Sequence, residues 1–376
     1  MRTHYAISLF SGAGGLDLGV EAAGFTTKLC TDIDDFSCKT LMLNKERQAL
    51  PGGKGFLREA NIVKKNIKEY SSTQILKDAG LKKNQVDLIY GGPPCQAFSV
   101  FGKRQGMDDP RGTLLWDYIR IIKDIQPKFF IFENVGGLLT IDEGAIFDSL
   151  KHELSTDKDG NELYSISYEL LNTAAYGIPQ YRQRVIIYGR KGRHTKKVPL
   201  PVPTHYTIPE KPEEGLLPPV TVDDALRFLP RVPDAKIPNH IGRKHGPEVM
   251  ERYAAMDYGQ RDSKTRINRL DPRKPSYTIV VGSDKGGGKG HVHPYEPREV
   301  TPRESARMQS FPDFWEFTGT SRHPIRQVGN AVPPLFAAIV ASNLLKYGFG
   351  ESDTYDREEL IHRLGLTYLE RGGNEQ

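Results

Sequence analysis

The chain has 376 residues, 38% of them hydrophobic and 26% charged, which supports a large core divided between two lobes. No run approaches the ~20 apolar residues of a membrane span, and Met1 to Tyr5 leads straight into strand-like sequence without the profile of a signal peptide. The net charge of +5 is uneven: residues 190–298 hold 21 Lys+Arg against 13 Asp+Glu, leaving +8 there and −3 elsewhere, which fits a polyanion partner or a solvated Lys-rich loop region.

Tyr5–Phe10 reads as a strand, Ser11-Gly12-Ala13-Gly14-Gly15 as a tight turn, and Leu16–Ala23 as a helix ended by Gly24. Thr26–Thr31 reads as a second strand, closed by Asp32-Ile33-Asp34. This opens a doubly wound sheet with a ligand at its first turn. Gly12 and Gly14 fit the first two glycines of a dinucleotide fingerprint, but Asp17 takes the third place, where an acid near a helix start repels a pyrophosphate. Asp32, about 20 residues on, stands where a carboxylate binds ribose hydroxyls. A nucleoside without phosphates, such as S-adenosylmethionine, fits better than NAD. From Asn44 to Gly80 the chain is polar and basic with little periodicity, and Ile62–Ile67 reads as a third short strand.

Val86–Tyr90 is a short apolar strand stopped by Gly91-Gly92-Pro93-Pro94, so Cys95 is presented at a rigid strand end. Phe98, Phe101, Lys103 and Arg104 add aromatic surface and charge beyond it. The set reads as a nucleophilic thiol beside an anionic substrate; a small buried hydrophobe is the plainer alternative for a cysteine. Cys30, Cys38 and Cys95 show no metal spacing and cannot all pair, which fits a reducing cytosol.

A helix runs from Arg111 through Leu114, Tyr118 and Ile122 to a break at Pro127. Lys128–Phe132 reads as a buried strand ending in Glu133-Asn134-Val135. Glu133 thus shares a sheet edge with Cys95, where an apolar setting would favour its protonated form; a helix cap is the alternative. Tyr168–Asn172 and Val185–Gly189 read as strands. Between them Arg182 and Arg184, two apart in extended chain, face one side and suit an anion or carbonyl.

Residues 192–220 are Pro-rich and basic and read as a linker. Residues 221–297 show no βαβ pattern; Ile267–Arg269 and Tyr277–Val281 read as strands, and Gly282–His291 as a cationic loop suited to a DNA groove or to a surface connection. Pro302–Pro312 reads as a short helix, and Gln327–Pro334 leads into another through Leu335, Ile339 and Leu345. Residues 351–376 are charged and read as a terminal helix or a frayed tail.

The set resembles the DNA (cytosine-5) methyltransferases of bacterial restriction-modification type. The matching blocks are Phe10-Ser-Gly-Ala-Gly-Gly15, Gly92-Pro-Pro-Cys-Gln96, Phe132-Glu-Asn-Val135, Gln180-Tyr-Arg-Gln-Arg184, Arg303 to Pro312 and Gln327 to Pro334, in the family's order and across nearly the whole chain. The resemblance implies an α/β fold: a doubly wound, Rossmann-like S-adenosylmethionine-dependent methyltransferase sheet with a smaller, irregular target-recognition domain. It divides the chain into residues 1–191 (catalytic and cofactor-binding), 192–321 (target recognition) and 322–376 (return to the catalytic domain, then tail). Cys95 would attack C6 of cytosine, Glu133 would contact N3 and the exocyclic amine, and Arg182 and Arg184 would hold the base. Phe10, Gly12, Gly14, Asp32, Ile33, Asn66, Ile67, Pro93, Leu114, Asn330 and Val332 would line the cofactor site. Two positions depart from the family pattern: Ile33 where many members have an aromatic on adenine, and Asn66 where Asp is usual. S-adenosylmethionine is the implied co-substrate, without a metal. Double-stranded DNA is the implied partner of a cytoplasmic monomer without membrane attachment. A cognate restriction endonuclease would act on the same site without direct contact.

The chemistry accounts for these residue types. C5 of cytosine is a poor nucleophile until a thiolate adds at C6, after which C5 can attack a sulfonium methyl. A free thiol has a pKa of about 8.5, so nearby Arg charge raises its thiolate fraction. Charge developing toward N3 calls for a protonated Glu133 or an Arg. The base is unreachable inside a duplex and has to be flipped out. An RNA cytosine-5 methyltransferase on the same scaffold and a catalytically dead DNA-binding protein are the competing readings. The long basic insert argues against the first, and intact Cys95, Glu133 and Arg184 against the second.

Overall fold

The computed structural model describes residues 2–48, 50, 52–94, 113–157, 159–281, 288–320 and 322–370. Cys95, the start of the helix expected at Arg111, and the centre of the glycine loop, 282–287, lie outside the described residues. The first half alternates strand and helix: β1 (His4–Leu9), α1 (Gly15–Ala23), β2 (Phe25–Asp32), α2 (Asp35–Gln48), β3 (Asn61–Lys64), α3 (Ser72–Ala79) and β4 (Leu88–Gly91). Then come α4 (Thr113–Ile125), β5 (Phe129–Val135), α5 (Ala145–Ser155), β6 (Tyr164–Asn172) and β7 (Gln183–Lys191). α1 stops where Gly24 turns left-handed and its N–H caps the Glu21 and Val20 carbonyls.

Among the described residues the main sheet has seven strands in the order β3-β2-β1-β4-β5-β7-β6. β1 to β5 run parallel, and β7 is antiparallel to both β5 and β6. The chain winds from β1 outward to β2 and β3, then returns to add β4 and β5 on the other side. The carboxyl ends of β1 and β4 therefore diverge at a topological switch point, which opens a crevice. Side-chain alternation sorts the strand residues into two cores: Ala6, Leu88, Phe129 and Ile131 toward one face, and Ile7, Ile89, Phe130 and Phe132 toward the other. The second face is covered by α3, α4 and α5.

α3 and the last turn of α2 lie in the stretch from Asn44 to Gly80, whose polarity hides helical period. The buried side of α2 is itself polar. Asn44 donates to the Thr40 and Glu316 carbonyls (2.8 and 2.7 Å), and the Thr40 hydroxyl donates to Gln327 (2.6 Å). α3 is capped by the Ser71 side chain, which accepts from the Gln74 N–H, and ends at left-handed Gly80.

The insert differs from expectation in three places. Residues 192–220 are no free linker: the Val198, Pro199 and Pro201 carbonyls accept from Ser167, Asn343 and Tyr176, and Val198 joins the main core. Ile267–Arg269 form no strand, because the Arg269 guanidinium binds the carbonyls of Met256, Ala254 and Pro294 and only single bridges cross to Arg261 and Val292. Of Tyr277–Val281 only β8 (Val280–Val281) pairs, with β9 (Gly288–Lys289). The insert's helices are short: α6 (Val222–Leu226) and α7 (Pro247–Ala254).

His291 and His293 are buried in the insert, and burial pushes each imidazole down to about 4. His293 Nδ1 accepts from the N–H groups of Tyr295 and Glu296 (both 3.1 Å), a role open only to the neutral ring. The unfolded chain takes up protons near pH 6.5 that the folded chain refuses until about pH 4. These two groups therefore contribute stability that is complete above pH 6.5 and is lost as pH falls toward 4. Imidazole NMR titrations should place both midpoints well below the free value; a midpoint near 6.5 for either would refute its burial in the neutral form.

The C-terminal part returns to the first lobe. α8 (Pro302–Met308) is capped by Thr301 and leads to Phe311, Trp315 and Phe317 in the main core. α9 (Arg322–Asn330) and α10 (Pro334–Leu344) follow, the latter packed on α1. The helical stretch Arg322–Phe349 is long and apolar enough to cross a membrane, but 83% of its most apolar window is buried, so it is a core element here. α11 (Arg357–Leu364) and the turn after it bury Leu360, Ile361, Tyr368 and Leu369, so the segment is ordered packing up to residue 370.

Candidate active site

At the switch point lies a cleft of about 640 Å³. It is within the ~300–1,000 Å³ usual for small-molecule sites. Its walls include Phe10, Gly12, Asp32, Ile33, Asn66, Ile67, Pro93, Leu114, Asn330 and Val332, together with Glu133, Arg182 and Arg184. Residues spread over more than 300 positions thus meet because the β1, β2, β4 and β5 ends and the α9–α10 connection converge.

One end of the cleft is built on β1 and β2. Phe10 leaves β1 in the left-handed region (φ 56°), and Gly12 follows in the same region (φ 53°) with open space where a side chain would stand. One Asp32 oxygen accepts from the Gly12 N–H and the other from the Asp34 N–H, both at 2.8 Å. Burial pushes the Asp32 carboxyl pKa up, and those two N–H donors pull it back. Ile33 is exposed at the lip. The Asn66 carbonyl oxygen accepts from Lys68 N and its amide donates to Glu69, so this side chain is partly committed to a turn.

Gly14 is not part of the wall. It caps α1 at φ 86°, and a Cβ there would come within 2.7 Å of Leu41 and 2.8 Å of Trp315. Its role is to let α1 pack, and a larger residue is excluded twice over. Asp17 likewise turns away from the cleft. It is fully buried, accepts from Cys30 Sγ (3.2 Å) and the Tyr90 hydroxyl (3.1 Å), and burial pushes its pKa up. The expected repulsion of a pyrophosphate by Asp17 therefore fails; Asp32, by contrast, lines the cleft.

The other end lies at β4 and β5. A Cβ on Gly92 would stand 2.5 Å from Glu133 Oε2 and would displace this carboxylate, so glycine leaves it its place beside the β4 exit. The Asn134 amide donates to the Pro93 carbonyl (2.9 Å) and pins the same exit. Glu133 is buried, and Arg184 Nε lies 2.8 Å from its Oε1. Its setting is ionic, not the apolar one expected, because Arg184 at the start of β7 faces the end of antiparallel β5. Arg182 is 1% exposed, and its Nη1 donates to the Gly329 carbonyl (3.0 Å). Burial and then Arg184 push its guanidinium down to about 9, against the pull of Glu133.

Cys95 follows Pro94, the last described residue of this exit. The other two cysteines are poor nucleophiles. Burial pushes the Cys30 thiol well up and the Cys38 thiol up to about 12. Sequence reasoning missed Asn134 and Arg326. Asn134 sat inside a quoted block without a role, and Arg326, which lines the cleft opposite Asp34, preceded its block by one residue.

The sheet order, the glycine turn and the carboxylate at the end of β2 define a Rossmann-like S-adenosylmethionine-dependent methyltransferase fold. The family model for C-5 cytosine-specific DNA methylases matches residues 5–346, and the chain belongs to that family; it is a DNA cytosine-5 methyltransferase. Over 382 residues it is 32% identical to the Type II methyltransferase M.XorII of Xanthomonas oryzae, covering 92% of this chain and 85% of that one. It is also 32% identical to M1.HphI of Haemophilus parahaemolyticus, covering 92% and 87%. Among solved structures, one described as a DNA modification methyltransferase encoded within an Escherichia coli prophage superposes with a TM-score of 0.70 at 28% identity, covering 93% of this chain and all of that one. The S. pombe Dnmt2 methyltransferase, at 15% identity and a TM-score of 0.60, shares the fold.

Proposed function

We propose that the protein transfers a methyl group from S-adenosylmethionine to C5 of a flipped-out cytosine in a specific duplex DNA site, through a covalent adduct between Cys95 and C6. The observation that carries this reading is one cleft joining a ribose-type carboxylate, Asp32, to the Glu133–Arg184 pair beside the Pro-Pro-Cys exit. The cleft suits the methyl donor. Asp32 can accept from ribose hydroxyls, the Gly12 face is open, and Phe10, Ile67, Pro93 and Val332 offer apolar walls to an adenine. Bound there, S-adenosylmethionine supplies an electrophilic sulfonium methyl.

The chain's own groups do the rest. Cys95 as thiolate forms the bond to C6, and the electron pair of the C5–C6 double bond becomes available at C5. Charge developing toward N3 is met by a proton on Glu133 or by the Arg184 guanidinium that holds it. Arg182, anchored on Gly329, adds positive charge beside that pair. After transfer the C5 proton leaves to a base and the thiolate is expelled. Labelled methyl transfer to duplex DNA and not to tRNA tests this reading; transfer to tRNA alone would replace it with the RNA enzyme.

Asp32→Ala should weaken S-adenosylmethionine binding by roughly 10- to 100-fold, the scale of a charged hydrogen bond, and leave DNA affinity in place. Calorimetry showing unchanged cofactor affinity would overturn the role of Asp32.

The insert between the Arg184 and Arg303 blocks is proposed as the target reader. Because residues 192–220 pack on the first lobe, its exchangeable part begins near Thr221. Its cations should make DNA binding fall steeply with salt. Exchanging residues 221–297 for those of a relative should carry the methylated sequence with them; a chimera that kept the original target would contradict this. The Type II methyltransferase names of its relatives support a place in a restriction-modification system, in which the protein would protect host DNA from a cognate endonuclease.

A further inference from the structure

We infer that Arg326 is a positioning residue for the methyl donor, acting through Asp34 on the carboxylate of Asp32. The inference rests on the cofactor reading given above. Arg326 Nη2 lies 2.7 Å from Asp34 Oδ1. The Asp34 N–H donates to one oxygen of Asp32 at 2.8 Å, and the Gly12 N–H donates to the other at the same distance. A continuous chain of charged and hydrogen-bonded contacts thus runs from the C-terminal return to the glycine turn.

The rest of α9 explains why it is Arg326 that holds this point. His323, Arg326 and Gln327 stand at i, i+3 and i+4 and share one face of the helix. All three grip the segment from the end of β2 into α2. The His323 ring sits 3.8 Å from the Phe36 ring, Arg326 pairs with Asp34, and Gln327 accepts from Thr40 at 2.6 Å. Elsewhere α9 is fixed from behind, where Arg182 binds the Gly329 carbonyl and Gln309 the Val328 carbonyl. The helix is therefore a rigid post, and the turn carrying Asp32, Ile33 and Asp34 is fastened to it.

Asp34 needs that fastening. Its second oxygen already accepts from the Ser37 N–H (2.8 Å) and hydroxyl (2.9 Å), so its carboxylate is held at both ends only while Arg326 is present. Ile33, between the two acids, is exposed and holds nothing down. Without Arg326 the Asp34 carboxylate keeps only its Ser37 contacts, and the Asp34 N–H is held less firmly against Asp32.

Arg326→Gln keeps a long polar side chain and removes the charge. It should raise the KM for S-adenosylmethionine and the Kd for S-adenosylhomocysteine about three- to fivefold, the upper range for a partly exposed ion pair. The kcat at saturating cofactor and the thermal midpoint should stay near wild type, and Arg326→Lys should recover at least half of the lost affinity on a logarithmic scale. Salt should weaken cofactor binding more in wild type than in Arg326→Gln. An Arg326→Gln protein with wild-type cofactor affinity, or one whose loss falls on kcat or on thermal stability instead, would overturn the role while leaving the cofactor site itself standing. Wild-type protein that bound no S-adenosylhomocysteine, or bound it equally well as Asp32→Ala, would overturn the cofactor reading and this inference with it.

Discussion

Cys95→Ser should lower methyl transfer by about a thousandfold or more, because a serine hydroxyl is far less ionised than a thiol near neutral pH. Duplex affinity should remain close to wild type, since the sulfur contributes chemistry and little contact area. Single-turnover transfer of labelled methyl, measured beside a gel-shift titration, separates the two. Neither remaining cysteine can substitute, with Cys30 and Cys38 buried and their thiols pushed up. Ordinary turnover by Cys95→Ser would remove Cys95 as the nucleophile.

The second large effect is expected at Glu133. Glu133→Gln keeps the shape beneath Gly92 but removes the charge that Arg184 Nε meets at 2.8 Å. It also removes the pull that partly sustains the Arg182 pKa, so two guanidinium groups lose their counter-charge together. The rate of the chemical step should fall about 100- to 1,000-fold, the scale for removing one group that stabilises developing charge. Cofactor affinity should hold, because Asp32 and the glycine turn are untouched. Single-turnover rates within threefold of wild type would show that Glu133 is only a partner for Arg184.

The parts of the site read from residues alone were those at strand ends. A glycine turn after an apolar run, a Pro-Pro stop and a Glu-Asn pair each carry a local physical signal, and the parallel sheet brings such ends to one edge. What stayed hidden depends on packing between distant segments. Gly14 looked like a ligand glycine but makes room for Trp315, some 300 residues away. Asp17 looked like a charge at a helix start but is drawn inward by Cys30 and Tyr90. The ionic setting of Glu133 follows from β7 running against β5, which no pattern in either strand announces. α2 escaped notice because its buried face is polar and satisfied by Glu316 and Gln327. Arg326 stood beside a recognised block and became visible only once its partner Asp34 was placed.

Expression in a bacterial host lacking its own cytosine methylation, followed by bisulfite sequencing of plasmid DNA, is the most direct measurement. Protected cytosines should appear in one short sequence motif, on duplex DNA, with wild type and not with Cys95→Ser. Nucleoside mass spectrometry of the same DNA should identify them as 5-methylcytosine. Wild-type protein, folded and expressed, that left plasmid cytosines unmethylated, or Cys95→Ser that methylated the same motif equally well, would contradict the assignment of this chain as a Cys95-dependent, sequence-specific DNA cytosine-5 methyltransferase.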